Sequence, residues 1–264
     1  MKIVRTIILI SAFLNVYSFG ITQTRITIFV HGTRRLSKLF IHYTNKPNKL
    51  VAIKKIPATY TTKSISKSLA KVDPINFSKK HFYVFGWPGK LNHQARVAAA
   101  KILYDEITAL VETLKKDGLH PTITLITHSH GGNVALNLAT CITDNKPTFQ
   151  IDNLILLACP IQEQTRALVN HELFKKVYNI YSTSDLTQII DPQGLHRENK
   201  NKKVAFFSQR TFDVCPTLKQ AKIKINNRGV WHGGFLSTKF FTRLPGLLNT
   251  MEQLPNDFGH FVKI

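Results

Sequence analysis

Ile123-Thr124-Leu125-Ile126-Thr127-His128-Ser129-His130-Gly131-Gly132-Asn133-Val134-Ala135 decides the fold. Thr122 to Ile126 (TITLI) is a β-branched and aliphatic run of strand type, and Val134, Leu136, Leu138 and Ala139 supply an amphipathic helix directly after it. A strand that breaks this sharply into a helix puts Ser129 in a strained turn at the strand's end. The residue two places after the serine must be small, so that the helix can pass close to the strand, and Gly131 is there. The residue two places before it is normally glycine for the same reason. Here it is Thr127, so the pattern reads Thr-x-Ser-x-Gly, and Thr meets the need by being small and at ease in extended backbone.

Outward from this stretch the chain alternates strand and helix, which predicts an α/β protein with a largely parallel sheet. Thr24 to Val30 (TRITIFV) runs into His31-Gly32-Thr33, His81 to Phe85 (HFYVF) into Gly86-Trp87-Pro88-Gly89, and Leu154 to Ala158 (LILLA) into Cys159-Pro160. Val177 to Tyr181 and Ala221 to Asn226 are two later strands. Leu103, Ile107, Leu110 and Leu114, flanked by Tyr104 and Val111, line one face of a helix that Gly118 stops. Arg34 to Lys80 is polar and basic, and Arg197 to Cys215 is irregular; either segment suits a lid or rim.

The chain has 264 residues, 43% of them hydrophobic and 10% aromatic, enough to bury one full core and too few to expect two. It carries neither low-complexity tracts nor repeats, which excludes disordered, solenoid and collagen classes. Lys and Arg number 36 against 15 for Asp and Glu, a net charge of +21. The basic residues are spread as pairs such as Lys54-Lys55 and Lys175-Lys176, so no nucleic-acid-binding tail is visible and no nucleic-acid partner is expected. A diffuse positive surface suits anionic lipid headgroups; a Lys-rich codon usage explains it equally. Cys141, Cys159 and Cys215 are too few and too far apart for a disulfide framework or a Cys-x-x-Cys knuckle. At the start, Lys2 and Arg5 precede an uncharged stretch from Thr6 to Phe19, with Ser18 and Gly20 small. This is the layout of a secretory signal peptide over residues 1–20, so a secreted or periplasmic protein is expected, with one domain over 21–264.

The Thr127-to-Gly132 motif resembles the α/β-hydrolase family, and within it the lipase- and esterase-like members whose elbow reads Thr-His-Ser-x-Gly-Gly or Gly-His-Ser-x-Gly-Gly. In that family a His-Gly pair at the end of an early strand precedes a residue whose N–H helps to bind an oxyanion. The resemblance therefore implies Thr33 as one donor and His130, just after the nucleophile Ser129, as the other, each contributing about 3 kcal/mol. The family order of nucleophile, acid and histidine implies Asp185, after the Val177–Tyr181 strand, and His232, in the glycine-rich stretch Gly229 to Gly234. Asp191 is the competitor for the acid, and His196 and His260 for the base. Asp185 is preferred because it lies nearer the strand end, where α/β sheets place their sites.

The implied function is a secreted serine hydrolase of carboxylic esters, lipid-like in character, with no cofactor and no metal. His128 and His130 form a His-x-His pair, but no carboxylate cluster accompanies them and zinc needs three or four ligands. Trp87 stands at a strand end, where it either lines an acyl pocket or packs a loop. With residues 1–20 removed, the family's usual first antiparallel strands are missing, and a reduced sheet of about six strands with helices on both faces is expected. The same triad serves a peptidase or thioesterase, and the same scaffold serves an inert protein that binds anionic surfaces.

Overall fold

The computed structural model describes residues 22–33, 48–142, 147–190, 209–256 and 259–264. Residues 1–20, 34–47 and 197–208 lie outside them, as do Asp191 and His196. The elements in chain order are β1 (Thr22–Val30), β2 (Lys49–Ala52), α1 (Thr61–Val72), β3 (Phe82–Gly86), α2 (His93–Lys116), β4 (Leu119–His128), α3 (Gly131–Leu136) and β5 (Asn153–Leu157). They continue as α4 (Glu163–Arg166), β6 (Val177–Tyr181), β7 (Leu218–Ile225), β8 (Arg228–Gly229), α5 (Thr238–Phe241), α6 (Leu244–Glu252) and β9 (His260–Lys263).

The sheet runs β2-β3-β1-β4-β5-β6-β7, with β8 folding back antiparallel on the end of β7 and β9 pairing with β7 in parallel. All neighbours are parallel except β2 with β3 and β7 with β8. The expected α/β class holds, but the described residues form nine strands rather than six. The three extra strands, β2, β8 and β9, are two to four residues long, too short for a period-2 pattern to register.

The longer strands divide their apolar residues between two cores. Ile26, Ile28 and Val30 of β1, Leu125 of β4 and Leu154 and Leu156 of β5 join α2 and α3 on one face. Phe29, Ile126, Ile155 and Leu157 join α1, α5 and α6 on the other. Alternate side chains of a strand point to opposite faces, so a sheet covered twice reads as continuous apolar sequence, as LILL in β5 does. Helix α2 is capped by Asn92, whose Oδ1 accepts from the Ala95 N–H at 2.7 Å, and ends before Gly118 at φ +73°. Its buried stripe is Ala99, Ala100, Leu103, Ile107, Val111 and Leu114, with Leu110 only partly buried. The segment suited to a lid is instead framework over its described part: β2 caps the sheet edge, and α1 buries Ile65 and Leu69.

The chain leaves β1 for β3 on one side and crosses to β4 on the other, so the strand order reverses at the β1/β4 boundary. Crevices at the carboxyl ends of such a pair are where open α/β sheets bind ligands. Thr33 follows β1 and Ser129 follows β4, and both stand at that boundary.

Candidate active site

Ser129 has φ +53°, a left-handed conformation that costs about 1–2 kcal/mol for a residue with a side chain. The strain is held by bonds on both sides: Ser129 N–H donates to Leu157 O on β5 at 2.9 Å, and its own carbonyl accepts from Gly132 N–H at 2.9 Å. Gly131 is obligatory, because a Cβ there would stand 2.4 Å from Val30 O and 2.6 Å from His31 O. The helix start is thus pressed against the end of β1. Thr127, fully buried where glycine is usual, donates its hydroxyl to Ile155 O at 3.1 Å, so the departure carries its own compensating bond.

The loop after β1 is tied to the one after β3. The buried His31 accepts the Trp87 N–H at Nε2 (3.2 Å) and donates from Nδ1 to Gly32 O (2.7 Å), which sets it as the neutral Nδ1–H tautomer. Trp87 stacks on the His31 ring with centroids 5.8 Å apart and donates its indole N–H to His31 O at 2.7 Å. Trp87 has no exposed surface, so it packs the loop and does not line an acyl pocket. The Thr33 N–H makes no hydrogen bond with any described residue. His130 stands at the N-cap of α3, and Asn133 is held beneath it by bonds to Pro160 O and the Thr165 hydroxyl.

Asp185 and His232, 47 residues apart, meet through Nδ1–H donating to Oδ2 at 2.7 Å. The Asp185 side chain is fully buried and that of His232 is 17% exposed. The other carboxylate oxygen accepts the Gln188 N–H at 3.0 Å. The loop around Asp185 is braced by Arg210, whose guanidinium donates to the carbonyls of Ser182 (3.1 Å), Thr183 (3.3 Å) and Asp185 (2.8 Å). The loop that leads to His232 is fastened to it by Val230 N–H on Ser182 Oγ at 3.0 Å, and by Gly229, where a Cβ would fall 1.8 Å from Ser184 Oγ. An open cavity of about 520 Å³ borders this loop at Ile189, Arg210 and Phe212; none of Ser129, Asp185 and His232 lines it.

The loop that carries His232 reaches the elbow through His128. Its Nε2 lies 3.0 Å from the His232 carbonyl, and the two rings are 4.6 Å apart at 50°. Burial, and then the field of His232, push the His128 imidazole well below the usual histidine range, so it is neutral. The Ser129 hydroxyl has no hydrogen-bond partner among the described residues. His260, the alternative base, lies on β9 at the outer edge of the sheet with Nε2 against Pro255 O.

Among the described residues no group of three His, Cys, Asp or Glu side chains is arranged to hold a metal ion, and all three cysteines are free. Three exposed apolar side chains lie close in the chain to Asp185 and His232: Leu186 (60%), Ile190 (59%) and Trp231 (68%). Arg210, the Ser182 bond to Val230 and the bonding of His128 carry no local sequence signal, because each acts on residues tens of positions away.

The sequence matches no protein-family model and no curated protein. Among solved structures it is similar to phospholipase PlaB from Legionella pneumophila in complex with thio-NAD, with 21% identity, a TM-score of 0.30 and coverage of 52% of this chain and 25% of that one. A second structure of that phospholipase gives 18% identity, a TM-score of 0.30 and the same coverages. Lipase B from Aspergillus fumigatus gives 13% identity and a TM-score of 0.40, over 88% of this chain and 53% of that one. The chain thus spans about a quarter to a half of the length of these proteins.

Proposed function

We propose that the protein is a serine hydrolase that cleaves carboxylic esters, lipid-like in character, through an acyl-enzyme on Ser129. The observation that carries this reading is the 2.7 Å bond between the buried Asp185 carboxylate and His232 Nδ1, in a loop joined to the elbow through His128, the chain neighbour of Ser129. An imidazole committed through Nδ1 to a carboxylate has only Nε2 left as a base. Nε2 of His232 takes the Ser129 proton as Oγ attacks the ester carbonyl. The N–H groups of Thr33 and His130 donate to the oxygen that becomes negative. His232 passes the proton to the departing alkoxide, which leaves as the alcohol. Water then gives a proton to His232 and attacks the acyl group, releasing the carboxylic acid and returning the proton to Ser129. Asp185 holds the tautomer and stabilises the imidazolium.

The lipid-like part of the reading is supported by the apolar rim of Leu186, Ile190 and Trp231 and by the net charge of +21, which suits anionic membrane surfaces. Export of the chain is proposed on residues 1–20 alone. A fluorophosphonate probe should label the wild type and not Ser129→Ala; folded wild type that stays unlabelled points to an inert binding protein. For the labelled enzyme, esters in anionic vesicles should be cleaved faster than in neutral ones at low salt. The difference should vanish near 1 M salt, where the screening length falls to ~3 Å, while a soluble short-chain ester changes little. A preference for peptides or thioesters over oxygen esters would overturn the substrate class.

A further inference from the structure

We propose that His128 is a positioning residue for His232. Its neutral imidazole donates from Nε2 to the His232 main-chain carbonyl and so fixes the base's ring relative to the elbow. The proposal rests on the reading of Ser129, Asp185 and His232 as a triad. Three observations carry it. First, His128 is the last residue of β4, paired with Leu157 in the ladder, and the next residue is Ser129. Whatever His128 grips is therefore referenced to the nucleophile by one peptide unit. Second, its Nε2 is 3.0 Å from the His232 oxygen. A carbonyl only accepts, so the proton is on Nε2. Nδ1 is buried and has no hydrogen-bond partner among the described residues, so a second proton there would be a buried charge with nothing to receive it.

Third, the base needs such an anchor. The Asp185 bond holds only one nitrogen of His232, and the base sits at the start of the short 3-10 turn His232–Leu236, with two glycines immediately behind it. The His128 bond catches the backbone of the base itself, and the tilted rings limit its sideways travel. Burial and the neighbouring His232 disfavour charge on His128. A neutral ring at this place also leaves room for the positive charge that His232 acquires during the reaction, since two cations at ring contact would oppose each other.

Nitrogen NMR of the wild type at neutral pH should find His128 with its proton on Nε2 and a bare Nδ1; a proton on Nδ1 would overturn the proposal. Two variants then separate gripping from filling. His128→Gln keeps a donor for the carbonyl, and His128→Phe keeps the ring and loses the donor. His128→Phe should lower kcat ~30-fold with KM within ~twofold, inside the ~10²-fold that a misplaced catalytic group costs, and His128→Gln should stay within ~threefold of wild type. The His232 Nδ1–H proton resonance should remain sharp in wild type and His128→Gln and broaden in His128→Phe. The opposite ranking, with Phe tolerated and Gln impaired, would make His128 a space-filler and end the proposal. If the wild type has no Ser129-dependent turnover, the triad reading falls by itself, and the resonance in the three proteins still decides whether His128 holds His232.

Discussion

Ser129 is held by backbone packed on backbone, whereas Asp185 and His232 are held by side chains that reach across from other elements. At the elbow, Leu157 O, Val30 O and His31 O crowd a turn whose shape is set by β4, β5, β1 and a glycine. In the facing loops, Arg210 on three carbonyls and Ser182 on Val230 do the holding. The elbow belongs to the sheet core, so damage there should appear first as lost stability. The loops sit on top of the core, and damage there should appear as lost turnover in a protein that still folds.

The largest effect should come from the loop side. Asp185→Asn should cut kcat by ~10³- to 10⁴-fold through loss of the correct His232 tautomer, while the unfolding midpoint moves by less than about 4 °C. Ester hydrolysis and a thermal melt on one preparation measure both. Retained turnover would return the acid's role to Asp191.

Gly131→Ala tests the elbow. Its Cβ would sit 2.4 Å from a main-chain oxygen that has little freedom to withdraw. A destabilisation of about 3 kcal/mol is expected in urea unfolding, as for overpacked cores generally. A variant as stable as wild type would show that the elbow is looser than its contacts imply, and the contrast between the two regions would collapse.

The smallest effect should be Thr127→Gly, which installs the commoner glycine two places before the serine. The loss of the hydroxyl bond to Ile155 O and the added chain entropy should cost about 1–2 kcal/mol, with turnover within ~threefold of wild type. A more stable or much faster variant would mean that Thr127 is a burden rather than a substitute.

The sequence alone determined the α/β class, the six longer strands, the face of α2 and the elbow with Ser129, because each is written in residues near one another. Apolar periodicity reports burial of a face, and glycine beside serine reports a close approach, without knowledge of any distant partner. Asp185 and His232 were legible only through the order of motifs along the chain; their 2.7 Å contact depends on two loops 47 residues apart meeting over the ends of β6 and β8. The structure alone decided that Trp87 is buried under the His31-Gly32-Thr33 loop, that the segment after residue 48 is edge strand and helix, and that Arg210 and His128 bond the main-chain carbonyls of Asp185 and His232. A hydrogen bond between residues roughly a hundred positions apart leaves no periodicity and no local composition. It exists only once the sheet has brought its two ends within 3 Å.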